Sequence, residues 1–272
     1  MDATLDDITF LVSSAHRIGV LDALHESPCD RDELRVVTGA SSPTMGRVLN
    51  DFRDRNWIER EGSTYRLTGL GEFVADQLAG FLNAMAVEQR LRNISPWLPY
   101  EIDGFSVDLL TDAVVSYPGP GYPYEPLDRH IQLVEATETI RGFGMVLLKA
   151  NVLEVYFDRL FDGLEIEMIY PPHVFETMIE WDPETVARGV DLDNYTVFLH
   201  DDLPNSEWCG VCLSDERTSI CCYEPDTGML RSLLDTDAPE TYSWGESIVD
   251  RYRAEARPLE EADDLISVDS VI

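Results

Sequence analysis

The 272-residue sequence holds a single lysine, Lys149, beside nineteen arginines and 52 acidic residues, a formal net charge of −32. A chain this poor in lysine and this acidic has no broad basic surface for an electrostatic hold on nucleic acid or anionic lipid. No apolar run reaches eighteen residues, which leaves no candidate transmembrane helix. The opening "MDATLDDITF" lacks the basic start of a secretory signal, so a cytoplasmic protein without structural disulfides is expected. Cysteine is scarce at five residues, yet four of them lie between 209 and 222.

What is present is a globular chain. Apolar residues make up 44%, ordinary for a folded domain. The acids are spread along the chain rather than gathered in a tail. Dense carboxylates with almost no lysine suit a protein kept soluble at high salt, so a halophilic source is expected. The charge is uneven. Residues 27–67 hold seven acids and seven arginines, whereas 91–272 hold 37 acids and eleven basic residues. A neutral, arginine-bearing island in so acidic a chain marks where a polyanion would dock.

That island reads as helices and a hairpin. Residues 5–25 carry apolar side chains at helical spacing. "SPCDRDELRVVTG" follows, with Asp30 as cap, Glu33 three residues later and Gly39 as stop. In "ASSPTMGRVLNDFRDRNWI", Ser42 is the expected N-cap and Met45, Val48, Leu49 and Phe52 the buried stripe. "WIEREGSTYRLT" gives two short strands. The sum is a winged helix-turn-helix over residues 1–68, whose third helix enters the major groove of double-stranded DNA. Ser42, Thr44, Arg47 and Asn50 would then reach base edges or phosphates, with Arg60, Tyr65 and Arg66 on the wing as phosphate contacts.

A linker helix over 69–95 presents Leu70, Phe73, Val74, Leu78, Phe81, Leu82 and Met85 on one face, which points to a homodimer. Strands alternating with helices over 103–258 predict an α/β domain, and 259–272 an acidic tail. The loop "SYPGPGYPYEP" offers Tyr117, Tyr122 and Tyr124 as a lid over a small-molecule effector, or serves as a rigid connector.

Three readings of the cysteines compete: zinc site, redox pair, or small buried hydrophobes. A hairpin looping at 215–218 pairs Cys212 with Cys221 and sends Cys209 and Cys222 to the other face. Ligands split across a sheet cannot close one tetrahedral site, so no metal is expected. Buried packing is favoured, and Cys212 with Cys221 stays open as a redox pair.

The winged helix, together with the stretch "YTVFLHDDLPNSEWCGVCLSDERTSICCYEPDTGMLRSLLDTDAPETYSWGESIVDRYRAEARPL", resembles archaeal winged-helix transcription regulators. These carry a middle domain named for a methanogenesis and filament regulator. More distantly the chain is similar to TrmB-type sugar-responsive regulators, whose effector domain is related to half a phospholipase D fold. The resemblance implies a sequence-specific DNA-binding regulator without catalytic activity or cofactor. Phospholipase D chemistry needs His-x-Lys, and His130, His173 and His200 are followed by "IQ", "VF" and "DD". A second resemblance, carried by "LDAL" and "YRLTGLGEFV", is to the N-terminal domain of small-molecule O-methyltransferases, where the winged helix serves dimerisation. Their methyl-donor loop finds only "RGFGMV" at 141–146, without an acidic lead-in or third glycine.

Overall fold

The computed structural model describes residues 2–146, 150–203, 209–224 and 226–261. The chain divides into two compact units, Met1–Ala86 and Val87–Ile272.

The first unit begins with α1 (Asp2–Val12) and α2 (Ala15–Glu26). The periodicity predicts one helix here. The structure breaks it at Ser13 and Ser14: Ser14 is extended, and the Ser13 hydroxyl donates back to the Phe10 carbonyl at 3.1 Å. Such local bonding by serine competes with helix continuation. Next come β1 (Cys29–Asp30) and α3 (Arg31–Thr38). The Asp30 carboxylate accepts from the Asp32 and Glu33 amides, Glu33 returns the bond to the Asp30 amide, and Gly39 stops the helix at φ +68°. In α4 (Ser42–Asp54) the cap is Ser41 rather than Ser42, its hydroxyl accepting from the Thr44 amide at 3.3 Å. The one-residue difference follows from Pro43, which fits the first turn whichever serine caps it.

Strands β2 (Ile58–Glu61) and β3 (Thr64–Leu67) form the hairpin, and β1 adds to β3, giving the order β1-β3-β2. The core gathers Val20, Leu21, Leu34, Met45 and Phe52, with Phe52 and Trp57 rings 5.5 Å apart. Helix α5 (Gly69–Leu91) starts hard against this core. A Cβ at Gly71 would lie 1.9 Å from the Trp57 carbonyl oxygen, so only glycine permits the approach.

The second unit is one eight-stranded sheet between two helical layers. In chain order its elements are β4 (Val114–Ser116), α6 (Glu125–Glu135), β5 (Thr139–Phe143), α7 (Ala150–Phe161) and β6 (Glu165–Tyr170). Then follow α8 (Pro172–Trp181), α9 (Pro183–Val190), β7 (Tyr195–Leu199), β8 (Cys209–Ser214), β9 (Arg217–Tyr223), β10 (Leu230–Thr236), α10 (Pro239–Glu255) and β11 (Arg257–Pro258). The strand order is β11-β7-β6-β5-β8-β9-β10-β4. Strands β5, β6 and β7 are parallel, and every other pairing is antiparallel.

One sheet face carries Phe143, Val211, Ile220 and Leu234 against Trp244, Ile248 and Val249 of α10. The other carries Ile140, Ile166 and Met168 against Phe157, Phe175 and Met178. Where the sequence suggests one helix over residues 171–191, Asp182 separates α8 from α9 at φ −154°, because the residue before Pro183 avoids helical backbone. Its carboxylate then caps α9 at the Thr185 amide, at 3.1 Å. The first residues of the acidic tail expected from 259 are folded: Leu259 is buried and sits in a 3-10 turn, Leu259–Glu261, that follows β11. The remainder of that expected tail lies outside the described residues.

Strand β10 escapes a sequence reading because Arg231 and Asp235 interrupt its apolar pattern. Asp235 is fully buried, and Arg129 grips it with two nitrogens at 2.9 and 2.7 Å while Arg217 adds a third contact. A buried carboxylate is tolerated only with such compensation.

The cysteine hairpin is shorter-looped than expected. A tight turn at Asp215–Glu216, with Asp215 at φ +50°, pairs Cys209 with Cys222, Gly210 with Cys221 and Cys212 with Ser219. The Asp215 carboxylate holds that turn by accepting from the Thr139 amide and hydroxyl at 3.1 and 2.9 Å. Cys212 and Cys221 are therefore not cross-strand partners, although the two-residue displacement leaves each cysteine on its expected face. None of the five forms a disulfide.

Candidate functional site

Helix α4 turns Met45, Val48, Leu49 and Phe52 into the core. At 100° per residue the opposite face carries Arg47 and Asn50, flanked by Thr44 and Arg53 on the same i, i+3 ridge. Arg47, Asn50 and Arg53 are exposed. Ser42 is exposed too, but its carbonyl and hydroxyl accept from Arg31 at 2.7 and 3.1 Å. Thr44 is half-buried, its hydroxyl 2.9 Å from that of Ser41. These two residues complete the capping turn, and the outward ridge belongs to Arg47, Asn50 and Arg53.

The arginines distinguish this ridge. Asp51, the residue that would pair with Arg47 one turn on, lies 3.9 Å from Arg17 instead. Arg55 pairs with Asp7 at 3.0 Å and stacks on Phe10. Arg35, Arg92, Arg141 and Arg231 all hold carboxylates. Among the described residues, Arg47 and Arg53 alone of the nineteen arginines have a side chain with no hydrogen bond, ion pair or aromatic contact.

On the hairpin, Arg60 donates to the Gly62 carbonyl at 2.9 Å, and Arg66 pairs with Glu59 at 2.8 Å. Tyr65, expected on the surface, is only 8% exposed. It alternates inward on β3 and pairs with Cys29 of β1, a strand too short to register in the sequence. Its ring supports Arg60, whose guanidinium lies 5.6 Å away.

A separate feature lies in the second unit. Between the sheet and α7 is a cavity of about 60 Å³. It reaches Gly144 and Tyr170, at the carboxyl ends of the parallel strands β5 and β6, where ligands of open α/β sheets commonly sit. Its walls are apolar, from Leu153, Phe157, Met168 and Met178, and its polar groups are His130, Cys212, Cys221 and the tyrosines 156, 170, 195 and 223. The His130 ring places Nε2 3.0 Å from the Tyr156 hydroxyl and Nδ1 3.7 Å from the Cys221 sulfur. Burial pulls the His130 imidazole down to about 4 and pushes the Cys212 thiol up to about 12. The same cause raises Cys221, Tyr156, Tyr170 and Tyr195. At neutral pH all these groups are uncharged.

Tyr117, Tyr122 and Tyr124 are exposed and do not line this cavity. Tyr122 bonds Asp128 instead. Of the glycines weighed as a methyl-donor loop, Gly142 lies inside β5. A Cβ there would meet the Val211 carbonyl oxygen at 2.3 Å, so its role is the close approach of β5 and β8. Among the described residues no group of three or more His, Cys, Asp or Glu is placed to hold a metal, and no helix is long and apolar enough to cross a membrane.

Residues 5–90 match the family model described as the HVO_A0261 N-terminal domain, and residues 123–255 match that of the middle domain of the methanogenesis regulatory protein FilR1. By these matches the chain joins an HVO_A0261-type N-terminal domain to a FilR1-type regulator middle domain.

No curated protein matches it significantly. Solved structures give distant likenesses. The archaeal chromatin protein TrmBL2 is 11% identical, with 90% of this chain and 94% of that one covered at a TM-score of 0.42. The phospholipase D family member Nuc from Salmonella typhimurium is 8% identical, covering 54% and 97% at 0.41. The calicheamicin methyltransferase CalO1 is 19% identical, covering 73% and 65% at 0.23. Scores this low decide nothing between them.

In the FilR1-type middle domain the cavity is the feature that sequence reasoning missed. Its tyrosines come from α7, β6, β7 and β9, four elements apart in sequence, and each sits in an apolar stretch where a tyrosine reads as core. Only the register of the sheet brings them to one place.

Proposed function

We propose that this chain is a winged-helix regulator that binds double-stranded DNA sequence-specifically as a homodimer, with a second domain that senses a small molecule. The observation that carries the reading is the ridge of α4. In a chain whose basic residues are far outnumbered by acids and whose other arginines are engaged, the Arg47 and Arg53 side chains are held outward without partners beside Asn50. Arginine reads guanine and asparagine reads adenine from the major groove, which is the work of the third helix in a winged helix-turn-helix. Arg60 and Arg66 on the hairpin suit phosphate contact, where an ion pair with Glu59 exchanges for one with the backbone.

Dimerisation is supported by α5. Leu70, Phe73, Phe81, Leu82 and Met85 are all exposed in the single chain. An apolar row of this length is unusual on a monomeric protein. Catalysis is not part of the proposal. The one histidine that lines the cavity, His130, is buried, neutral and followed by Ile131 and Gln132 rather than by a phosphate-holding lysine. Thiolate-based sensing through Cys212 and Cys221 is disfavoured too, because burial keeps both as thiols.

The test is recovery of chromatin bound to the native protein, followed by sequencing. Enrichment at a set of promoters sharing a two-fold motif is expected. Uniform recovery without promoter preference would refute sequence-specific regulation.

A further inference from the structure

We propose that the cavity between the sheet and α7 binds a small, uncharged organic molecule with an apolar body and one hydroxyl or carbonyl group. The inference rests on the effector-sensing reading above and gives the effector a chemical class.

Three observations define the class. No Arg, Lys, Asp or Glu lines the cavity among the described residues. An anionic or cationic ligand would find no counter-charge among these described lining residues, which the buried site penalises. The walls offered by Leu153, Phe157, Met168 and Met178 are apolar and, at the methionines, adaptable. Polar capacity is present. The hydroxyls of Tyr156 and Tyr170 and the ring of His130 supply donors and acceptors, and His130 already fixes the Tyr156 hydroxyl at 3.0 Å. A hydroxyl both donates and accepts, so the Tyr156–His130 pair keeps its mutual bond and retains capacity for one more.

Size follows from the volume. About 60 Å³ is well below the roughly 150 Å³ apolar cavity that accepts benzene, and above the roughly 15 Å³ that one water needs. Roughly two to four heavy atoms fit without wall movement, by that comparison. Sugars and nucleotides are too large and too polar. Small alcohols, ketones and amides fit, and phenol fits if Met168 and Met178 shift. The glycine at position 144 guards this fit, because a Cβ there would sit 3.3 Å from the Tyr170 ring.

The full chain, methyl-labelled at methionine and kept at high salt, is titrated with propanol, phenol and propionate while methyl resonances are followed. Saturable shifts confined to Met168 and Met178 are expected with propanol and phenol, and none with propionate. Tyr156→Phe removes one hydroxyl and should weaken propanol binding about fivefold, the worth of one hydrogen bond. Leu153→Trp fills the space and should abolish the shifts. If that variant does not fold, Tyr156→Phe carries the test alone. Shifts that grow linearly with concentration, equal shifts with propionate, or wild-type affinity in Tyr156→Phe would overturn the proposal. Operator binding is measured on the same samples without ligand. Its failure would count against the regulator reading and leave the cavity assignment standing.

Discussion

Two residues carry most of the chemistry that can be tested one side chain at a time. Arg47 stands on the crown of α4, its nearest candidate partner Asp51 engaged by Arg17. Nothing in the fold depends on its guanidinium, so Arg47→Ala should leave stability within about 0.5 kcal/mol of the parent. A bidentate contact to guanine is worth about 1–3 kcal/mol of discrimination. Competition binding with operator and scrambled duplexes should show that much lost from the operator alone. Retention of full selectivity by Arg47→Ala would remove α4 as the reader. His130 is the opposite case, a group buried and neutral. Unfolding exposes the imidazole, which takes up a proton below about pH 6.5, whereas the folded ring stays neutral down to about 4. The unfolded chain binds the extra proton across that window, so stability is lost as pH falls from about 6.5 to about 4. The loss amounts to about 3 kcal/mol at most, from the usual 1.4 kcal/mol per unit. Denaturant titrations should show this slope in the parent and a flatter one in His130→Gln. Parallel slopes would mean that the ring is hydrated in the fold.

At the scale of elements, the glycine at 142 shows how tightly β5 and β8 are joined. Gly142→Ala forces a Cβ into the space of the Val211 carbonyl, 2.3 Å away, and a backbone atom has no rotamer by which to yield. A loss of about 1–3 kcal/mol is expected, as for other overpacked cores, read as a lower midpoint in guanidinium. An unchanged midpoint would mean that the strand pair can separate at no cost. Helix α5 makes a different prediction. Phe81→Glu should convert a dimer to a monomer by light scattering if the exposed row is the interface, with little change in helix content. The elements were legible where side chains speak locally. Asp30, Glu33 and Gly39 announce α3, and the stripe of α4 follows from its 3.6-residue spacing. They were not legible where a distant partner decides. The charge of Asp235 hides β10 until Arg129, more than a hundred residues away, is seen to neutralise it. The turn at Asp215 could not be placed without its anchor at Thr139, and the expected pairing of Cys212 with Cys221 failed for that reason. The outward residues of α4 were readable from periodicity, whereas the cavity depends on parallel register that no local pattern encodes.

For the whole molecule, charge sets the terms of every interaction. Residues 91–272 carry 37 acids against eleven basic residues, while the arginine-bearing segment 27–67 is neutral. Carboxylates at this density repel one another over roughly 10 Å at 0.1 M salt and over only about 3 Å at 1 M. The fold should therefore lose cooperativity or unfold as salt is lowered from molar to tenth-molar, and circular dichroism during dialysis would show it. DNA binding feels two opposed salt effects. Each phosphate neutralised by an arginine contributes a slope of about −0.9 to log K against log salt. Repulsion between the acidic body and the duplex relaxes over the same range and contributes the opposite sign. The net slope should then be shallow, nearer zero than the contact count alone would give. Replacing Arg53 by alanine should shift it by roughly 0.9 if that side chain meets a phosphate. Fluorescence anisotropy from 0.5 to 2 M salt measures both quantities. A steep negative slope would show that the duplex is held by many basic contacts beyond the reach of the acidic body. That would contradict an interface built on α4 and the hairpin alone.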